Sequence, residues 1–468
     1  MKTSCVPVLV AAVAWVFGSV LVFLTPPFQV ADEFWHFFRA YQVSMGQFVA
    51  QSQYNTQGGL LPVSLLKLSS RFGDLPFHPD RKTSRRIILD AGQIPLDPDR
   101  KTFCYFPVSA NYSPLVYAPQ AVAIAAGRWM GMRPLGLLYF GREAALIAWT
   151  VAGYFTLRLT PALGWAIAIL MLMPMSLASA ASVSADAITN AICLLFTVLV
   201  WRQSVGGGEN APGIDAGNKV VIFALSVGVT LCKFAYLPLI LLVLLIPPDR
   251  LGGKGRWGRF VAGLIVVNLL VSFAWLWATA GTSLVLRPDR PEVNVSRQLA
   301  FLESHPTAFF PAVARGFVDD GPFLLHSFVG YLGWLDNPVL PVVAWLYWLA
   351  LVFACWPVDG DPPAPARWRL VVVAVSICAS ALIFALFDYL GWTPVGSSRV
   401  IGVQGRYFIP LGAALFILIW GTMRRLPKAI PPLSGRCFGR LGFMAAAFCI
   451  CGCFYTLFLV YRRYYVAG

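Results

Sequence analysis

Residues 8–41 read VLVAAVAWVFGSVLVFLTPPFQVADEFWHFFRAY. The segment Val8 to Leu24 carries no charge and approaches the roughly 20 residues that a helix needs to cross a hydrocarbon core. It follows a lone Lys2 and runs directly into Pro26-Pro27 without a clear small-x-small cleavage site. It therefore reads as an uncleaved signal anchor with a cytoplasmic amino terminus. The remainder of the stretch is of another kind: two prolines, then Asp32-Glu33, then a histidine and an arginine among aromatics.

The composition agrees with the membrane reading. Apolar residues make up 58% of the 468 and charged residues 12%, with a mean hydropathy of +0.69, against roughly 25% charge in soluble domains. The runs lack the alternation of barrel strands, so helices must satisfy their own backbone in lipid. A net charge of +15 does not signal nucleic acid, because the Lys and Arg residues sit in short connections between apolar runs. Of ten cysteines, most fall inside those runs and none forms a paired CxxC pattern, which argues against a disulfide framework or a zinc site.

Further spans read at 142–157, 162–180, 186–201, 219–232, 234–247, 260–279, 339–357, 370–389, 407–421 and 441–460. Threaded from an inside start, they place Arg158, Arg202, Lys219, the Arg250/Lys254/Arg256/Arg259 group, Arg367/Arg369 and the Arg424/Arg425/Lys428/Arg436/Arg440 group on the cytoplasmic side. Only Arg462 and Arg463 land outside. The expected fold is an all-α integral membrane protein with about 11 transmembrane helices and two long outer loops. Its parts are a first helix (1–24), an outer loop with amphipathic and interfacial helices (25–141), a bundle (142–279), a second outer loop (280–338) and carboxyl-terminal helices (339–468). The segment Tyr112–Met130, interrupted by Pro114 and Pro119, reads as interfacial or re-entrant, because a span there would invert every basic connection after it. The echoed stretches Pro79–Thr83 and Pro98–Thr102 read as polar turns, and Gly206–Gly217 and Asp359–Ala366 as linkers.

Chemistry-bearing residues gather on the outer side of this threading. On a helix, Asp32, His36 and Arg39 share one narrow face, opposite Phe34, Phe38 and Tyr41. That describes an amphipathic helix on the membrane surface. Asp32 reads either as a helix cap or as a carboxylate poised for proton transfer at the bilayer edge; two adjacent acids exceed what a cap requires. Asp186, after Ser182-Val183-Ser184-Ala185, is either another cap or a second acid. Lys233 divides one apolar stretch, so it is either a costly charge within a span or lies at an outer turn between two short ones. Trp334 and Asp336 follow His326 in an aromatic, Gly-containing segment, where Trp334 suits an interfacial anchor. Arg406, in Gln404-Gly405-Arg406-Tyr407, either snorkels or contacts a phosphate. Walker, HExxH, GxSxG and dinucleotide motifs are absent from any supporting context.

Taken together, Asp32-Glu33-x-x-His36-x-x-Arg39-Ala40-Tyr41, Tyr112-x-Pro114-x-x-Tyr117-x-Pro119-Gln120, Ser182–Asp186, Lys233-x-x-Tyr236-x-Pro238, Gly333-Trp334-Leu335-Asp336 and Gly402-x-Gln404-Gly405-Arg406-Tyr407 resemble the bacterial membrane proteins grouped as domain of unknown function 2142. That family is in turn similar to GT-C membrane glycosyltransferases, which take sugars from polyprenyl phosphates. The resemblance implies a GT-C-like fold in the bacterial plasma membrane, a polyprenyl-phosphate-linked sugar and a membrane lipid as partners, and a cell-envelope glycan or glycolipid as acceptor. It implies Asp32 and Glu33 as catalytic acids, with Asp32 the general base and the anomeric carbon inverted. Asp186 and Asp336 would be acceptor-side acids. Arg39, Lys233 and Arg406 would hold the lipid phosphate. His36, Tyr117, Trp334 and Gln404 are further candidates, and Glu33 or Asp186 could hold a divalent cation. A lipid-linked glycan flippase and a non-catalytic envelope-assembly scaffold are the alternatives.

Overall fold

Helices account for the apolar runs. The computed structural model describes residues 6–53, 56–205, 212–280, 290–426 and 429–466. Lys2, Lys428, part of the 206–217 linker and the side chains of Arg436 and Arg440 lie outside the described residues. Among those described, seven helices are long and apolar enough to cross a membrane: Val6–Leu24, Pro134–Leu159, Asp186–Val205, Lys254–Thr279, Arg367–Gly391, Gly405–Arg424 and Leu441–Tyr465. Three shorter apolar helices, Ala216–Cys232, Phe234–Leu245 and Pro341–Ala354, complete the bundle.

Of about 11 expected transmembrane helices, seven among the described residues have full membrane-spanning length, and other apolar runs form shorter or broken helices. The run at 162–180 breaks into Gly164–Leu172 and Pro174–Ala180, because Pro174 offers no N–H to continue the ladder. Lys233 divides its own stretch. The helix ends at Cys232, Lys233 takes an extended backbone, and a 3₁₀ segment holding Pro238 follows. Pro134–Leu159 begins before the expected boundary at 142, since Arg142 lies inside the helix with its charge paired.

The connections sort to two ends of the bundle. At one end the short basic links bind one another: Arg250 reaches Gln203, Arg369 reaches the carbonyl of Ser204, and Arg424 and Arg425 reach carbonyls of Asp361, Pro362 and Pro365. At the other end the two long loops meet. Arg463 lies there too, bound to the carbonyls of Leu75 and Arg81 and to Asp336. That contact gives the basic carboxyl-terminal segment partners at the end of the bundle where the two long loops meet.

The first long loop has its own core. Strands β1 (Gln51–Gln53), β2 (Thr56–Pro62) and β3 (Lys101–Tyr105) form an antiparallel sheet in that order. Lys101 and Thr102, expected in a turn, therefore pair in a strand opposite Pro62 and Leu61. The helix Glu33–Ser44 packs Phe37, Phe38 and Tyr41 into a cluster with Leu61, Leu65 and Phe106. It is buried along most of its length, so it is not the surface helix that the apolar-polar pattern suggested. The helix Ala118–Trp129 has 12 residues, about 18 Å at 1.5 Å per residue, too short to cross. It leaves Val122 and Trp129 exposed.

Candidate functional site

Four charged residues from distant parts of the chain alternate in sign at the loop end of the bundle. Arg406 stands between two acids, 3.8 Å from Asp32 Oδ2 and 3.8 Å from Asp186 Oδ2. Asp186 Oδ1 in turn accepts a 2.9 Å hydrogen bond from Lys233 Nζ. Arg406 and Lys233 are mostly sheltered, whereas Asp32 is 26% exposed.

Local structure places each member. Asp32 adopts a left-handed backbone (φ 63°) just before the helix, and its side chain makes no cap hydrogen bond to that helix. Aspartate tolerates this conformation better than most residues, and strained backbone often marks a functional position. Asp186 opens its helix after a serine-rich turn, where Ser184 Oγ accepts the Asp186 N–H at 3.1 Å. Its carboxylate is thereby left for the two cations. Lys233 projects from the break between two helices, its ammonium 5.3 Å from the Tyr112 ring centroid and 5.1 Å from that of Tyr407. Arg406 is set by Gly405, whose N–H donates to Ser327 Oγ at 2.9 Å. A Cβ at Gly405 would lie 2.0 Å from the Leu324 carbonyl oxygen.

The two neighbouring acids of the first loop have separate fates. Glu33 is fully buried and paired at two points with Arg142, Nε to Oε1 at 2.8 Å and Nη2 to Oε2 at 2.5 Å. It also accepts the backbone N–H groups of Val183 and Phe28. Arg142 spends its other donors on the carbonyls of Val22, Thr25 and Pro26. Glu33 therefore faces the protein interior rather than a substrate, which corrects its expected catalytic or cation-holding role. Arg39 is likewise corrected. Its guanidinium donates to Gln42 Oε1 and to the carbonyls of Phe48 and Tyr112, and it is fully buried.

His36 Nδ1 and the Tyr117 hydroxyl share a 2.7 Å hydrogen bond. Burial, with Lys233 and Arg406 nearby, pulls the imidazole down to about 3 despite the opposing charge of Asp186, so His36 is neutral at physiological pH. Burial also pushes the Tyr117 phenol up. Asp336 is apart from the four charges: it accepts from Arg463 at 2.6 Å and from the backbone N–H groups of Trp334 and Phe77. Trp334 donates to the Phe28 carbonyl and stacks on Phe34. Both residues join the second loop to the first. The Gln404 carbonyl accepts the Tyr407 N–H, and Gln404 Oε1 lacks a partner among the described residues.

A cavity of about 350 Å³ opens beside the charges, with Tyr112, Lys233 and Tyr407 in its wall along with Trp275, Phe384 and Asp388. The walls are chiefly apolar and a cation lies at the edge, a form suited to a lipid with an anionic head. Among the described residues no three of His, Cys, Asp or Glu stand together as a cation site, and Glu33 and Asp186 are each bound to a basic residue. The sequence reading passed over two residues, Arg142 and Asp388. Each is an ionisable group within a helix of membrane-spanning length, which is itself a signal.

No curated protein matches the chain. Two solved structures resemble it weakly, both of ArnT from Cupriavidus metallidurans. The form bound to undecaprenyl phosphate gives 16% identity and a TM-score of 0.45 over 96% of this chain and 64% of that one. The apo form gives 14% and 0.41 over 93% and 61%. The chain thus spans less than two thirds of the length of either. Residues 15–415 match the family described as predicted membrane protein, domain of unknown function 2142, and the chain belongs to that family.

Proposed function

We propose that the protein is a GT-C-type membrane glycosyltransferase that moves a sugar from a polyprenyl phosphate to a cell-envelope glycan or glycolipid at the non-cytoplasmic face. The observation that carries this reading is the alternation Asp32, Arg406, Asp186, Lys233, whose last member, Lys233, lines a chiefly apolar cavity. Basic connections gathered at the opposite end support the sidedness.

Asp32, the most exposed of the four, accepts the proton of an acceptor hydroxyl. The hydroxyl oxygen attacks the anomeric carbon from the face opposite the phosphate, and inversion follows. The bond from that carbon to the phosphate oxygen breaks, its electron pair stays on the oxygen, and polyprenyl phosphate departs. Lys233 and Arg406 offset the charge that develops on the leaving group. Arg406 suits this task because its contacts with both acids, at 3.8 Å, are longer than hydrogen bonds. Asp186 holds the two cations in place. Glu33 acts at one remove, fixing through Arg142 the backbone from which Asp32 projects. Since no described cluster fits a divalent cation, no step runs through one.

The test is transfer of a labelled sugar from a polyprenyl phosphate by membranes carrying the protein. Asp32→Asn should lower the rate by about 10²–10⁴-fold, the usual contribution of a general base, while folding as wild type does. Wild-type rates in that variant would remove the assignment.

A further inference from the structure

The cavity has polar groups that the proposed transfer does not use. Asp388 lines it, near the loop end of the helix Arg367–Gly391. Its backbone carbonyl ends that helix by accepting the N–H groups of Trp392 and Thr393 and the Thr393 hydroxyl, each at 2.9 Å. The carboxylate takes no part in this, and Oδ2 is buried without a hydrogen-bond partner among the described residues. On the helix Lys254–Thr279, Ser272 lines the same cavity, and its Oγ is also buried and unpartnered. A helical serine has a carbonyl four residues back within reach, so a hydroxyl left unpaired here is unusual.

Buried polar atoms are ordinarily paired, and exceptions call for a reason. A carboxylate in a span is costly and points to a functional site. Here an acid and a serine on two different helices line one cavity, each with a buried polar atom that has no partner among the described residues. The remaining wall, including Leu276, Phe384 and Phe387, offers apolar surface to a hydrocarbon chain, and Lys233 offers a cation. A plain lipid phosphate would satisfy Lys233 and leave the two polar atoms unmet. Hydroxyl groups joined to the phosphate would meet them, since a carboxylate and a hydroxyl are common partners for a polyol.

We propose that Asp388 and Ser272 are the specificity residues for the sugar of a lipid-linked donor, reading its hydroxyls while Lys233 takes the phosphate. This rests on the donor reading above and adds which residues distinguish a loaded lipid from a spent one.

Binding to the purified full-length protein in nanodiscs tests it, with two probes: a polyprenyl phosphate, and the same lipid bearing one hexose on its phosphate. Asp388→Asn and Ser272→Ala should each weaken the hexose-bearing lipid, Asp388→Asn by about tenfold, the order of one charge-assisted hydrogen bond. Both should leave the bare lipid within about twofold of wild type, well under one such bond. Lys233→Gln should weaken both probes. If wild type binds both lipids and the two variants affect them equally, or not at all, sugar reading by this pair is overturned while the donor site stands. If wild type binds neither, the donor reading fails and this inference with it.

Discussion

Glu33 and Arg142 form a two-point ion pair in which both side chains are completely buried. Such a pair adds little stability over an apolar replacement, but losing one partner strands the other charge and costs about 3–5 kcal/mol. Arg142→Met should therefore lower the melting temperature sharply or abolish folded protein in detergent. Glu33→Gln should do so to a lesser degree, because an amide keeps some of the hydrogen bonds. Asp32→Asn, one residue away, should melt as wild type does. Thermal unfolding followed by size exclusion separates these outcomes, and an Arg142→Met protein of wild-type stability would show that the pair is not structural.

Gly405 carries Arg406 past another backbone at very close range. Its missing Cβ would come within 2.0 Å of the Leu324 carbonyl oxygen and 2.2 Å of the Phe328 nitrogen, and neither atom can swing aside as a side-chain tip would. Gly405→Ala should cost about 1–3 kcal/mol, as overpacking does, and should displace Arg406 from Asp32 and Asp186. Transfer should fall more than stability alone explains. Gly391→Ala, where a Cβ meets nothing within 4 Å, is the control. Parity of the two variants in rate and melting would contradict the account.

Part of this site was legible in the sequence. Positive-inside threading brought Asp32, Asp186, Lys233 and Arg406 to one end from four separate segments, because charge asymmetry of the connections survives errors in span count. The helical wheel set Arg39 on one face with Asp32 and His36, and Glu33 was grouped with Asp32 by adjacency and by the resemblance. Asp32 precedes the helix in a left-handed conformation, so the angular phase does not extend to it. A long Arg39 side chain bends back to loop carbonyls that no periodicity reveals. Arg142 stood at the edge of the span read as 142–157, whereas the helix begins at Pro134 and carries Arg142 inside it with its charge paired. Trp334 and Asp336 were grouped with the chemistry for their residue types, whereas their partners, Phe28 and Arg463, are set by tertiary contact alone.

His36 gives the protein an acid-side weakness of known sign. In the folded state burial holds it near 3, below its ordinary 6.5, so between those values the unfolded chain binds a proton that the folded chain refuses. Stability is full above about pH 6.5 and falls as pH drops toward 3, by up to about 1.4 kcal/mol per unit. Between pH 7 and pH 5 this residue alone should cost about 2 kcal/mol. His36→Gln removes the titration and can still bond Tyr117, so its melting temperature should fall less across that interval. Parallel wild-type and variant curves would show that His36 is not the group responsible.

Asp336 and Arg463 act as a clasp between the second long loop and the end of the last helix. Their side chains are 10% and 4% exposed and 2.6 Å apart, and Arg463 also reaches the first loop through the Leu75 carbonyl. Breaking the clasp from either side should loosen the same junction, so the two losses should overlap instead of adding. Asp336→Ala and Arg463→Ala should each lower stability, and the double variant should be little worse than the poorer single one, with a coupling of about 1–3 kcal/mol. Limited proteolysis within residues 70–83 should accelerate equally in all three. Binding of a polyprenyl phosphate should change little, because neither residue lines the cavity beside Lys233. Additive losses would mean that the two residues serve separate contacts, and a selective loss of lipid binding would return Asp336 to the site.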